Sequence, residues 1–347
     1  HRLFSTLSGG PLESLLPEIA TNSRTRISIV TWQVFFGTIG AAIALIAAGV
    51  IKDVYGFGVM GIVLAVLACA SRYVSVIGIW RYSRNQVAPV KINPINSLRA
   101  IWRNDQFRFF LPTFVFFNMA VTLMTAAFPF YASAIILDGF PGHIASSELG
   151  YIARIDIFGM GMNLGLGWLV GIFAAIAVIV VIISLPIVYH LSLRFGKAWV
   201  YSASMLLGAI GYPFVFFMGF IPGISVLGRT LIIVAFIGIP MAAVFTFPNA
   251  IMADIIDYDA LQTNSRREAI YYGCQAMLEK WANALFAPIL ALLLLLGETA
   301  DNPLGIRLVG PVSGVACLIG FIFFRGYKLS DSISDDSVEV QVNSNNV

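Results

Sequence analysis

Lys280 stands about eleven residues into the apolar run 269–296, which puts its ammonium ~17 Å along a helix and near the middle of a ~30 Å hydrocarbon layer. A lysine at that depth costs roughly 2.5–3.5 kcal/mol on insertion, so it is expected to face a cavity or a partner. Helical spacing puts Gly273, Ala276, Lys280 and Asn283 on one stripe, with Gln275 and Glu279 on the next. Two polar stripes with small residues between them describe a helix lining a water-accessible site. Pairing of Glu279 and Lys280 with other helices purely for packing is the alternative. Asn118, about ten residues into the run 109–137, is a second polar group at membrane depth. It could be functional or serve only as glue between helices.

A different concentration of charge precedes Lys280. The stretch 253–272, "ADIIDYDALQTNSRREAIYY", holds Asp254, Asp257 and Asp259 and then Arg266 and Arg267. It lies between two apolar runs, where water can solvate it. One reading is a solvated loop. The sharper one ends a helix at Asp254 and Asp257 and pairs these carboxylates with Arg24, Arg26 or Arg194 of neighbouring loops, as a cytoplasmic gate to which Arg266 and Arg267 also contribute. Catalysis finds no support in the inventory. His1, His143 and His190 form no HExxH or other metal spacing, no GxSxG elbow occurs, and no enzyme or cofactor is expected.

The elements that position these groups follow from composition. Hydrophobic residues make up 59% of the chain and charged residues 11%, with a mean hydropathy of +0.86. A soluble domain carries about 25% charged residues, so the chain is read as an all-α polytopic membrane protein. The runs are long and do not alternate, which excludes barrel strands. Expected spans are 27–51, 54–80, 109–137, 164–190, 198–221, 226–252, 269–296 and 303–325. The net charge of +3 is too small to suggest nucleic acid. Cys69, Cys274 and Cys317 sit in apolar runs without pairing or metal spacing, and read as small core residues. Lys and Arg fall almost entirely in alternate loops, the opposite ones holding only Lys52, Arg154, Arg229 and Arg307. That bias puts the basic loops and the C-terminus in the cytoplasm. Segment 81–108 reads as a cytoplasmic connector with a short surface helix near 96–105. Loop 138–163 reads as an outside loop, and 329–347 as a disordered tail.

The block "MADIIDYDALQTNSRREAIYYGCQAMLEKWANAL", 252–285, resembles the signature of the glycoside–pentoside–hexuronide:cation symporter family, which contains the melibiose permease-like carriers of the major facilitator superfamily. "LLPEIATNSRTRIS" at 15–28, "NDQFRFFLPTFVFFN" at 104–118 and "SLPIVYHLSLRFGK" at 184–197 resemble further family segments in order and spacing. The resemblance implies that residues 1–18 are the end and exit of a fourth helix and that the eight spans are helices 5 to 12. Residues 1–80 would then belong to an N-terminal bundle, 109–328 to a C-terminal six-helix bundle. It further implies an inner-membrane carrier that moves a small sugar-like solute with Na+ or H+. Lys280 matches the cavity lysine, Gln275 a sugar-contacting glutamine and Phe245 an aromatic sugar platform, with Asn118 a hydroxyl binder. The family's cation-site carboxylates come from helices 2 and 4; the resemblance implies that helices 1 to 3 and most of helix 4 are missing from the sequence given, and Gly9, Gly10 and Pro11 stand where helix 4 keeps an acidic residue. This leaves Glu279, with Lys280, as a candidate for proton coupling. A lysolipid-like or organic-anion carrier and a non-transporting membrane protein are the competing readings.

Overall fold

The structure, a computed structural model, describes residues 23–79, 101–131, 153–157, 160–164, 166–220, 226–263, 267–299 and 301–329. Of the expected connector 81–108 and tail 329–347, residues 81–100 and 330–347 lie outside the described residues. A helical stretch Ser23–Ile79 opens the described chain, broken at Gly56 (φ 81, ψ 173) into α1 (23–55) and α2 (57–79). Only glycine takes that backbone conformation at low cost, so the two expected spans meet at a kink rather than a loop. α3 is Asp105–Tyr131, α4 Leu166–Phe195, α5 Lys197–Phe214 with a 3-10 turn Val215–Phe220, α6 Val226–Thr263, α7 Glu268–Leu294 and α8 Leu304–Phe324.

Seven helices among the described residues are long and apolar enough to cross a membrane. The protein is therefore a multi-pass helical bundle. Two features differ from the expected boundaries. Within the expected outside loop, β1 (Ala153–Ile157) pairs antiparallel with β2 (Met160–Leu164), an ordered hairpin that short Gly-rich sequence disguised as irregular loop. α6 continues eleven residues past its expected end at 252, so Asp254, Asp257 and Asp259 are helical and not a loop. Cys317 is buried and Cys274 half-buried, but Cys69 lies on the exposed surface of α2 and does not behave as a core residue.

α8 packs against α3 and α5, α4 against α6 and α1, α5 against α6, and α7 against α3. On α3 the buried side chains Phe107, Phe110, Phe114, Phe117, Val121 and Met124 recur every three or four residues, one stripe of the helix. Between spanning helices such burial gains little from leaving water, because lipid tails are as apolar as the core. Close packing must supply the attraction. The α5–α8 seam shows how. Gly310 and Gly314 of α8 lie one turn apart, and a Cβ on Gly314 would sit 2.7 Å from the Pro213 ring of α5. A Cβ on Gly310 would collide with the Tyr212 carbonyl.

Candidate functional site

Two polar regions stand out from this apolar bundle. The first lies where the start of α1 and the start of α5 meet α6. Asp254 and Asp257 are three residues apart and share a face of α6, a like-charge pair that is unfavourable alone. Arg26 of α1 answers both: one guanidinium nitrogen is 3.3 Å from Asp254 Oδ1 and the other 2.5 Å from Asp257 Oδ2. Lys197 Nζ pairs with the second oxygen of Asp254. The result is a charge-balanced chain, Lys197–Asp254–Arg26–Asp257, tying three helices together.

Its burial is nearly complete, with Arg26 and Lys197 each 1% exposed and Asp254 7%. Lys197 is the first residue of α5, where the helix dipole disfavours a cation. The Asp254 carboxylate offsets that cost. Gly196 (φ 86) makes the turn between α4 and α5 that delivers Lys197 to this place. Such a network is weak evidence for stability, since assembling it costs desolvation of every member. Breaking it by removing one member is a different matter, because a buried charge is left uncompensated.

The other expected gate arginines do not join this chain in the described contacts. Arg24 is exposed, because two residues along a helix turn it about 200° away from Arg26. Arg194 is exposed at the end of α4, its guanidinium 5.3 Å from the centre of the Phe195 ring. Arg266 lies outside the described residues. Arg267 pairs instead with Asp259 at 3.1 Å. Asp259 also bonds the Tyr271 hydroxyl, which accepts a 3.0 Å bond from Asn104 Nδ2. Asn104 is in turn the N-cap of α3, its Oδ1 accepting from the backbone N–H groups of Gln106 and Phe107 at 3.0 and 3.3 Å. This second set joins α6, α7 and α3 at the same end of the bundle.

The second polar region is at mid-membrane, along α7. Phe107 stacks edge-on against Tyr271 with ring centroids 5.0 Å apart, and Thr122 Oγ1 is 3.4 Å from Asn283 Oδ1. These two contacts advance together, so α3 and α7 run parallel. Thr122 Oγ1 also reaches Asn118 Oδ1 at 3.2 Å. One turn before Thr122 and Asn283, Asn118 and Lys280 therefore stand at about the same depth on adjacent helices. Both are half-buried. Glu279, beside Lys280, is turned to the exposed side of α7.

On the α6 side of α7, Gln275 is 5% exposed and donates from Nε2 to Asn249 Oδ1 at 3.1 Å. Its Oε1 is buried with no hydrogen-bond partner in the structure. The Tyr272 hydroxyl donates to the Asn249 carbonyl at 3.1 Å. Phe245, one turn before Asn249, is 43% exposed. Lys280, Gln275, Asn118 and Phe245 thus occupy three helices, α3, α6 and α7, with α7 central. Among the described residues no three His, Cys, Asp or Glu side chains come together as a metal site.

Sequence reasoning missed Lys197 as a partner of Asp254, and also Asp259 with Tyr271 and Asn104. The first needs the α4–α5 turn, which no local pattern gives. Asn249 was legible as an asparagine inside a span, the same signal that drew attention to Asn118. The profile of the family described as MFS/sugar transport protein matches residues 1–149 and 160–302 of the chain. No curated protein matches it.

Proposed function

The chain belongs to the MFS/sugar transport protein family, and we propose that it couples movement of a sugar-like solute to that of a cation by alternating access. Carriers of this family are not enzymes, and the polytopic helical bundle fits that role. The observation that carries the proposal is the α7 stripe. Lys280 and Gln275 stand on one spanning helix between Asn118 of α3 and the Phe245–Asn249 turn of α6. A midplane cation with amide groups beside it can hold hydroxyls or a carboxylate, and an aromatic face can stack on the C–H side of a sugar ring. Gln275 Oε1 in particular is an acceptor waiting for a donor.

In this reading α1 and α2 belong to one bundle, α3 to α8 to the other, and segment 81–108 connects them on the cytoplasmic side. Rocking of the bundles about the central site then opens it to alternate faces. The Lys197–Asp254–Arg26–Asp257 chain joins α1 to α5 and α6, across the plane that must part. It is the latch of the inward side. The basic loops orient that end toward the cytoplasm of an inner membrane.

The test is uptake by the reconstituted protein. Lys280→Ala should abolish it without loss of folded protein, and full uptake by that variant would remove Lys280 from the mechanism. A second reading has H+ rather than Na+ as the coupling ion, favoured by Glu279 standing beside Lys280 on a spanning helix. Uptake that ignores sodium and collapses with a protonophore would support it. Sodium-stimulated uptake at fixed membrane potential would overturn it.

A further inference from the structure

A cleft of about 420 Å3 opens between α1 and α4, away from the α7 stripe. Its size falls in the roughly 300–1,000 Å3 range of sites that hold small organic molecules. The two helices run antiparallel along it. Ser28, Trp32 and Phe35 of α1 and Tyr189, Pro186 and Ile182 of α4 line it. Antiparallel helices put Ser28 and Tyr189 at the end near the charge latch and Phe35 and Ile182 at the far end. The walls therefore grade from hydroxyl groups at the membrane surface to aromatic and aliphatic side chains ~10 Å farther in.

Charge grades the same way. Arg24 continues the α1 stripe one turn outward from Ser28, and Arg194 continues the α4 stripe of Pro186 and His190. Both arginines are exposed. Neither helix carries an acidic residue over 23–51 or 166–195. The Arg26 guanidinium, the nearest buried cation, is already answered by Asp254 and Asp257. The lining itself is uncharged, and the two arginines border it about a turn outward, one on each helix. A planar guanidinium suits a phosphate, which takes two-pronged hydrogen bonds from arginine; Arg194 lies over the Phe195 ring and would turn from it to reach one. Tyr189 suits the boundary layer where such a phosphate sits.

We propose that the cleft holds an anionic phospholipid of the surrounding bilayer, its phosphate between Arg24 and Arg194 and one acyl chain along Trp32, Phe35 and Ile182. The lipid is a resident, not the cargo. It braces α1 against α4 one turn from Arg26, and so bears on the latch. Nothing in it depends on the solute carried by the α7 site.

The experiment is lipid retention by the full chain, extracted from phosphatidylcholine vesicles doped with phosphatidylglycerol and weighed by native mass spectrometry. Retained phosphatidylglycerol should exceed its share of the vesicle by about tenfold, equivalent to ~1.4 kcal/mol. Arg24→Gln with Arg194→Gln should erase the preference, and these surface changes leave the bundle intact. Ile182→Trp should exclude either lipid, with an unchanged unfolding midpoint as the check on folding. Equal retention of the two lipids by the parent chain would overturn the proposal, as would an undiminished preference in the double arginine variant. Displacement of the lipid by soluble glycerol phosphate would also overturn it, since the mouth would then recognise a free phosphate.

Discussion

The latch and the α7 stripe are both islands of charge in an apolar bundle, yet they are built on opposite terms. In the latch every charge is met by another: Arg26 bridges two carboxylates, and Asp254 bridges two cations. In the stripe the groups are half-buried or left with spare capacity, as with Gln275 Oε1. A closed network of buried charges holds one arrangement of helices and has nothing left to offer a ligand. An incompletely satisfied set at mid-membrane costs insertion energy that only a ligand or water recovers. On the proposed function, the contrast separates a conformational device from a binding device.

The largest effect expected from that contrast comes from Asp254→Ala, which takes the shared carboxylate from Lys197 and leaves Arg26 with Asp257 alone of the two. Breaking a buried pair in this way costs about 3–5 kcal/mol, and should appear as a lowered unfolding midpoint of the detergent-solubilised protein. Unchanged stability would mean the latch is wet and slack. Lys280→Ala should behave in the opposite sense. Its uptake should fall at least about tenfold, ~1.4 kcal/mol, while the unfolding midpoint holds or rises, because a costly midplane charge has been removed. A drop in stability comparable to that of Asp254→Ala would make the stripe a second structural network and erase the distinction.

How far the sequence reveals these regions depends on what each requires. Spanning helices need only long apolar runs, so α7 and α8 are readable within two residues of their ends. Asp254 and Asp257 declare themselves because two carboxylates share a helical face beside an apolar run. Their partners do not. Arg24, Arg26 and Arg194 look equivalent as basic loop residues, and only helix rotation selects Arg26. Lys197 is hidden by its role as an ordinary positive-inside residue until the Gly196 turn places it beside α6. The β1–β2 pair escapes because each strand is only five residues long, too short for alternation to register. Lys280 needs no tertiary information, since depth alone makes it anomalous.

Smaller effects sharpen the comparison further. Gln275→Leu removes the bond to Asn249 and should cost only about 0.6 kcal/mol, the usual worth of an interhelical hydrogen bond in a membrane. Its apparent affinity for the solute should weaken far more, as read from concentration-dependent uptake. Equal small losses in both would assign Gln275 to packing. At the bottom of the scale, Arg108→Gln opens a 3.4 Å pair with Asp105 whose side chains are 60% and 71% exposed. No measurable change in stability or uptake is expected from so wet a pair.

The central claim is that the Lys197–Asp254–Arg26–Asp257 chain holds α1 against α6 in one state of a two-state carrier. It is tested most directly by a distance. Spin labels at Thr25 and Leu261, both exposed, report the separation of the two helix ends in a background with the native cysteines replaced. The parent protein should show a dominant short distance. Asp254→Asn with Asp257→Asn should move population to a longer one without unfolding the bundle. An identical distance distribution in the two proteins, both folded, would contradict the latch.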